Sequence, residues 1–98
     1  MKAYLIIDLN MTNIEGFKEY VQRVPELIQK HGGKYLVQGV EPTVIELAAG
    51  QVLDRSVVLE FPDRGAAEAF LAEREESDLH DVWKKTTRSR ILLVDGCT

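Results

Sequence analysis

An α+β domain in the order β-α-β-β-α-β is predicted by three observations. Short runs rich in aliphatic and β-branched residues occur at 3–9, 34–40, 55–61 and 89–94, each bounded by polar or turn-forming residues. The first pair and the last pair of these runs enclose segments whose apolar residues recur at steps of three and four. The chain has 98 residues, 45% hydrophobic and 29% charged, which fits one ordinary globular domain over residues 1–98.

Residues 3–9 (AYLIIDL) read as the first strand. Thr12-Asn13-Ile14-Glu15 then has a capping-box pattern, with Thr12 as the expected cap of the first helix. Ile14, Phe17, Val21, Val24 and Ile28 mark its apolar face, with Tyr20 and Leu27 beside them. Pro25 removes one N–H inside this helix and is expected to loosen or kink it. Gly32-Gly33 stops it, and Lys30 and His31 suit the negative end of its dipole. Residues 34–40 (KYLVQGV) read as the second strand. Glu41-Pro42-Thr43 is expected to turn, Val44-Ile45-Glu46-Leu47 to resume or flank that strand, and Ala48-Ala49-Gly50-Gln51 to loop.

Residues 55–61 (RSVVLEF) form the third strand, and Asp63 caps a helix that buries Ala66, Ala67, Phe70 and Leu71. Ser77 can cap a further turn or two carrying Leu79, Val82 and Trp83. Residues 89–94 (SRILLV) give the last strand, ended by Asp95-Gly96. This order is the split βαβ, or ferredoxin-like, plan. Right-handed crossovers then place two helices on one face of a four-stranded antiparallel sheet. Tyr4 to Ile7, Val57 to Leu59 and Ile91 to Val94 are apolar on both sides of their strands, so the uncovered face calls for burial against a second copy. The expected assembly is a homodimer packed through open sheet faces.

The formal charge of −4 gives little attraction to a phosphate backbone, so no nucleic-acid partner is expected. The run at 3–7 is cut by Asp8, too early for a signal peptide or a spanning helix, so no membrane partner is expected either. The single cysteine, Cys97, permits no intrachain disulfide and fits a cytoplasmic protein. There is no G-x-G-x-x-G, Walker loop, H-E-x-x-H or C-x-x-C, and neither metal nor cofactor is expected.

Candidate chemistry rests on a few side chains. His31 can move a proton near neutral pH, or simply bond the free carbonyls of a helix end. Asp8 can orient such a histidine, or serve as a solvated strand-end residue. Glu46, inside an apolar run, is a candidate acid–base group if the run buries it. Trp83 with Arg88 and Arg90 can form an aromatic and cationic rim for an anionic ligand; alternatively Trp83 is core and the arginines pair with acids. His80, between Asp78-Leu79 and Asp81, reads as part of a solvated helix face, because consecutive helical residues diverge too much to share one metal ion.

Taken together, several segments resemble the domain-of-unknown-function 1330 family of the dimeric α/β-barrel group. They are Tyr4; Tyr20 followed by Pro25; His31-Gly32-Gly33-Lys34-Tyr35-Leu36-Val37; Ile45-Glu46; Val58-Leu59-Glu60-Phe61-Pro62-Asp63; Ala66-Ala67 and Ala69; Ser77; and Leu93-Val94-Asp95-Gly96. The chain departs from the family pattern at Leu47, where glycine is usual, and at His80, where a tyrosine is usual. Lys84 and Lys85 stand where the family's late-helix arginine is usual. The resemblance implies the fold and a dimer. By analogy with similar barrels, it points to a binding or accessory module with a small organic ligand in the cleft between sheet and helices. The alternative is a cofactor-free monooxygenase- or isomerase-like enzyme. In either case Tyr4, Asp8, Tyr20, Trp83 and Arg88 are the expected ligand contacts; His31 and Glu46 are the expected proton-moving groups of the enzyme.

Overall fold

The alternation of buried and partly exposed residues from Ala3 to Asn10 sets the two sides of the sheet. The computed structural model describes residues 1–40, 42, 43, 45, 46 and 54–97. Its elements are β1 (Ala3–Met11), α1 (Ile14–Lys30), β2 (Lys34–Val40), β3 (Arg55–Phe61), α2 (Arg64–Glu76), α3 (Asp78–Thr86) and β4 (Thr87–Asp95). The strands form an antiparallel sheet in the order β2-β3-β1-β4, the ferredoxin-like arrangement, and the sheet is open.

On β1, Ala3, Leu5, Ile7 and Leu9 point under the helices and are buried. Leu59 and Phe61 of β3 join them, since Leu5 pairs with Leu59 and Ala3 with Phe61. Phe17, Tyr20, Val24 and Ile28 of α1, Ala67 and Phe70 of α2, and Leu79 and Trp83 of α3 close the core from above. Among the described residues, the opposite sheet face has no such cover. Val37, Val58, Ile6 and Leu92 form one row across all four strands, and Tyr4 lies beside Val94. Leu92 is 42% exposed and Val37 45%.

Several sequence expectations are adjusted. The cap of α1 is Asn13, not Thr12: the Asn13 side chain accepts from Gly16 N at 3.0 Å. Thr12 is tied instead to the end of α3, its N–H donating to the Thr86 carbonyl at 2.8 Å. Helix α1 runs through Pro25 as one element to Lys30. It stops where Gly32 takes a positive φ of 77°, the left-handed conformation that only glycine adopts without cost. Gly33 is required for a different reason, because a Cβ there would lie 2.6 Å from the Phe61 ring.

Where two helices are expected in total, the described residues form three. Ser77 has extended backbone and a side chain that accepts from Leu79 N, and so it separates α2 from α3. Strands β1 and β4 are longer than their apolar runs, because Asn10 pairs with Arg88 and Met11 with Thr87. In β2 the register shifts between Tyr35 and Val37, leaving Leu36 as the extra residue. Strict alternation from Tyr35 would send Val37 under the helices. The bulge puts Val37 opposite Val58 on the open face and Gln38 opposite Val57 on the covered one. Between β2 and β3, Ile45 and Glu46 form an exposed bend rather than strand. The remainder of the expected turn, strand and loop, at 41, 44 and 47–51, lies outside the described residues.

Exposed ion pairs tie the helices together. Arg23 of α1 grips Asp78 of α3 with two N–H groups, one at 2.8 Å, and Lys30 of α1 reaches Glu73 of α2 at 2.8 Å. The Arg23 hydrogen bonds hold the Asp78 carboxyl below its ordinary value, and the Lys30 hydrogen bond does the same for Glu73. Both groups are therefore protonated more readily in the unfolded chain. Their contribution to stability is present above the ordinary carboxylate range and is lost as pH falls through the lowered values. Urea midpoints should thus drop between about pH 5 and pH 3, and Arg23→Met with Lys30→Met should flatten that drop. An equally steep drop in the double variant would assign the acid sensitivity to other groups.

Candidate functional site

The covered side of the sheet does not pack flush against the helices. A cavity of about 120 Å³ remains. Leu5, Ile7, Val57 and Leu59 form its floor; Tyr20 and Val24 of α1, Phe70 and Arg74 of α2, and Trp83 of α3 form its walls and roof. Val21, half exposed, and Gln38 also line it. Leu71, Arg74, Trp83 and Ile91 additionally border a wider groove beside β4, which His80 and Lys84 flank.

The aromatic wall is continuous. Phe17 and Tyr20 stack with centroids 5.8 Å apart, and Tyr20 meets Trp83 at 4.8 Å. The Trp83 Nε1–H donates to Ser89 Oγ at 2.9 Å, which fixes the indole. Set into this wall is Arg74, only 4% exposed. Its Nε–H donates to the Tyr20 hydroxyl at 2.8 Å, and its guanidinium carbon lies 5.1 Å from the Trp83 ring centroid. Burial pushes the Tyr20 phenol above its ordinary value, opposed in part by Arg74. Burial also raises Tyr35, assisted by repulsion from Tyr20. Both phenols therefore stay protonated at neutral pH. The buried Nη2 of Arg74 and Nε of Arg55, whose side chains line the cavity, have no acceptor among the described residues.

Of the residues singled out in the sequence, the structure brings Tyr20 and Trp83 together at this cavity. Tyr4 and Asp8 lie on the open sheet face, on the far side of β1. There Asp8 accepts from Ser56 Oγ at 3.0 Å and from Arg90 Nη2 at 2.7 Å, so it orients no histidine. Arg88 is exposed on β4 opposite Asn10. The cation next to Trp83 is therefore Arg74, not Arg88 or Arg90. His31 is the C-cap of α1, with Nε2 3.2 Å from Glu73 Oε1 and its ring edge-on to Phe70, and it does not line the cavity. Glu46 is exposed, in a bend it shares with the exposed Ile45. Cys97 is free and exposed.

Sequence reasoning passed over Arg74, although a signal was present. It follows Ala67 and Phe70 at the three- and four-residue spacing of the buried stripe of α2. Among the described residues, no three His, Cys, Asp or Glu side chains converge to hold a metal ion. No helix among them is long and apolar enough to cross a membrane.

No curated protein matches the chain. Solved structures share its fold at low identity. A protein of unknown function from Rhodopseudomonas palustris is 14% identical, with a TM-score of 0.78 over 99% of this chain and 83% of that one. SnoaB, a cofactor-independent oxygenase from Streptomyces nogalater, is 12% identical, with a TM-score of 0.64 over 99% of this chain and 94% of that one. A dimeric protein of unknown function and ferredoxin-like fold from Bacteroides fragilis is 11% identical, with a TM-score of 0.59 over 97% and 96% of the two chains. The family model described as domain of unknown function (DUF1330) matches residues 2–97, and the chain belongs to that family.

Proposed function

We propose that this chain is a homodimeric cytoplasmic module that binds a small organic molecule in the cavity between its sheet and helices. The cavity carries this reading: it is apolar, largely preformed and edged by a few polar groups, which is the usual make-up of a small-molecule site. The apolar row Val37, Val58, Ile6 and Leu92 supports the dimer, and a similar fold from Bacteroides fragilis is dimeric. The lone cysteine supports a reducing compartment, and the net charge of −4 speaks against nucleic acid. Catalysis of the oxygenase or isomerase type is not favoured. The likeness to SnoaB is 12% identity and concerns the fold, and the groups best suited to move a proton, His31 and Glu46, lie away from the cavity.

The test is a thermal-shift screen of small metabolites against the wild type and Val21→Phe. Val21 lines the cavity from a half-exposed position, so a larger side chain there narrows the opening at little cost to the core. A ligand at one hundred times its dissociation constant should stabilise the wild type by about 2.7 kcal/mol. The variant should lose that gain. A screen in which nothing stabilises the wild type would reject the reading.

A further inference from the structure

An arginine cannot shed its charge when it is buried, whereas a lysine can lose a proton and a carboxylate can gain one. Arg74 nevertheless sits 4% exposed among Tyr20, Phe70, Leu71 and Trp83. No carboxylate among the described residues forms an ion pair with it: Glu73 of its own helix is held by Lys30 and His31, and neighbouring Glu75 makes none. Contacts with the Tyr20 and Trp83 rings offset part of the desolvation, yet Nη2 still has no acceptor among the described residues. Arg55 adds a second guanidinium to the same cavity from the β3 side, again with a buried N–H that finds no acceptor there. Two like charges bordering one small apolar space favour an anion between them.

We infer that the cavity takes a small organic monocarboxylate, its carboxylate received by Arg74 and Arg55 and its apolar body lying over Leu5, Ile7 and Leu59. This rests on the binding reading above and names the ligand class. A planar guanidinium offers paired N–H donors that match a carboxylate. The Tyr20 hydroxyl accepts from Arg74 Nε and retains its own proton to donate. Phosphate or sulfate fits poorly, because the aliphatic floor gives their remaining oxygens no donors. The size is also restrictive. An apolar cavity of about 150 Å³ accommodates benzene, so 120 Å³ suits a short branched chain or a single ring.

Trp83 is the only tryptophan in the chain, and its ring faces the Arg74 guanidinium, so its fluorescence reports on the site. The test titrates the full-length protein with isovalerate and benzoate, and with the neutral isosteres isovaleramide and benzamide. The carboxylates should bind at least about tenfold more tightly than the amides. Arg74→Met should abolish that preference while amide binding persists. Equal affinity of acids and amides for the wild type would overturn the charge assignment and leave the cavity reading standing. Failure of both classes to bind would overturn both. If Arg74→Met does not fold, Arg74→Lys serves: it keeps a charge but loses the planar fork, and should weaken the acids alone. Unchanged acid binding in that variant would overturn the inference.

Discussion

Replacing Phe61 by alanine should destabilise the protein by about 3–5 kcal/mol, the range for deleting a large buried aromatic side chain. Phe61 is fully buried at the end of β3, its ring 5.3 Å from that of Phe70. It ties together β1, α2 and the turn before β2: it pairs with Ala3, faces Phe70, and fills the space over Gly33. A domain of this size has a total stability of about 5–15 kcal/mol. The loss should therefore lower the melting temperature by more than about 10 °C. The geometry also sets a coupling. A Cβ at Gly33 would lie 2.6 Å from the Phe61 ring and 2.9 Å from Ile28 Cγ2, so Gly33→Ala should be destabilising by itself. In the Phe61→Ala background the first of these collisions disappears, and the added methyl occupies part of the new void. The double variant should be more stable than the sum of the single losses predicts. Strict additivity in urea unfolding would show that the backbone at Gly33 relaxes away from the ring.

The parts of this fold that were legible in the sequence are those in which one residue's identity decides its own environment. The run from Ala3 to Leu9 reads as a strand because its residues are β-branched or aliphatic, and Asp63 reads as a cap because its carboxylate accepts from Ala66 N. Other features are properties of pairs. Nothing at Asp8 says which side of the sheet it faces; its pairing with Ser56 and Arg90 does, and that depends on the register of three strands. The bulge at Leu36 is of the same kind, since only the partner strand shows that Gln38 has changed sides.

The site was less legible for a related reason. Glu46 sits among apolar residues in the sequence, but proximity in sequence buries a side chain only when the backbone is packed, and Ile45 and Glu46 form an exposed bend. Arg74 shows the reverse. Its charge marks it for the surface, whereas its place in the stripe of Ala67 and Phe70 marks it for the interior, and the interior wins. The conflict between those two signals distinguishes a functional candidate from ordinary core, because local rules are most often broken where a protein binds something.

Leu92→Lys should convert the proposed dimer into a monomer at micromolar concentration while leaving each subunit folded. Leu92 is 42% exposed on edge strand β4 and pairs with Ile6, so it belongs to the apolar row on the open face rather than to the core. A lysine there costs the isolated subunit little, since the site is already reached by water and surface substitutions are usually within about 0.5 kcal/mol. In a two-fold dimer every residue of the patch occurs twice, so one substitution introduces two ammonium groups into a single apolar interface. Each must be desolvated without a partner, at several kcal/mol per ion. The Asp8–Arg90 pair does not relieve this, because Asp8 already accepts from both Arg90 and Ser56. Light scattering should report twice the chain mass for the wild type and the single-chain mass for Leu92→Lys, with unchanged far-ultraviolet circular dichroism. Glu26→Ala, exposed on α1 on the other side of the sheet, should remain dimeric. A wild type that is monomeric throughout would mean that the row Val37, Val58, Ile6 and Leu92 tolerates water, and with it the argument from uncovered aliphatics would fail.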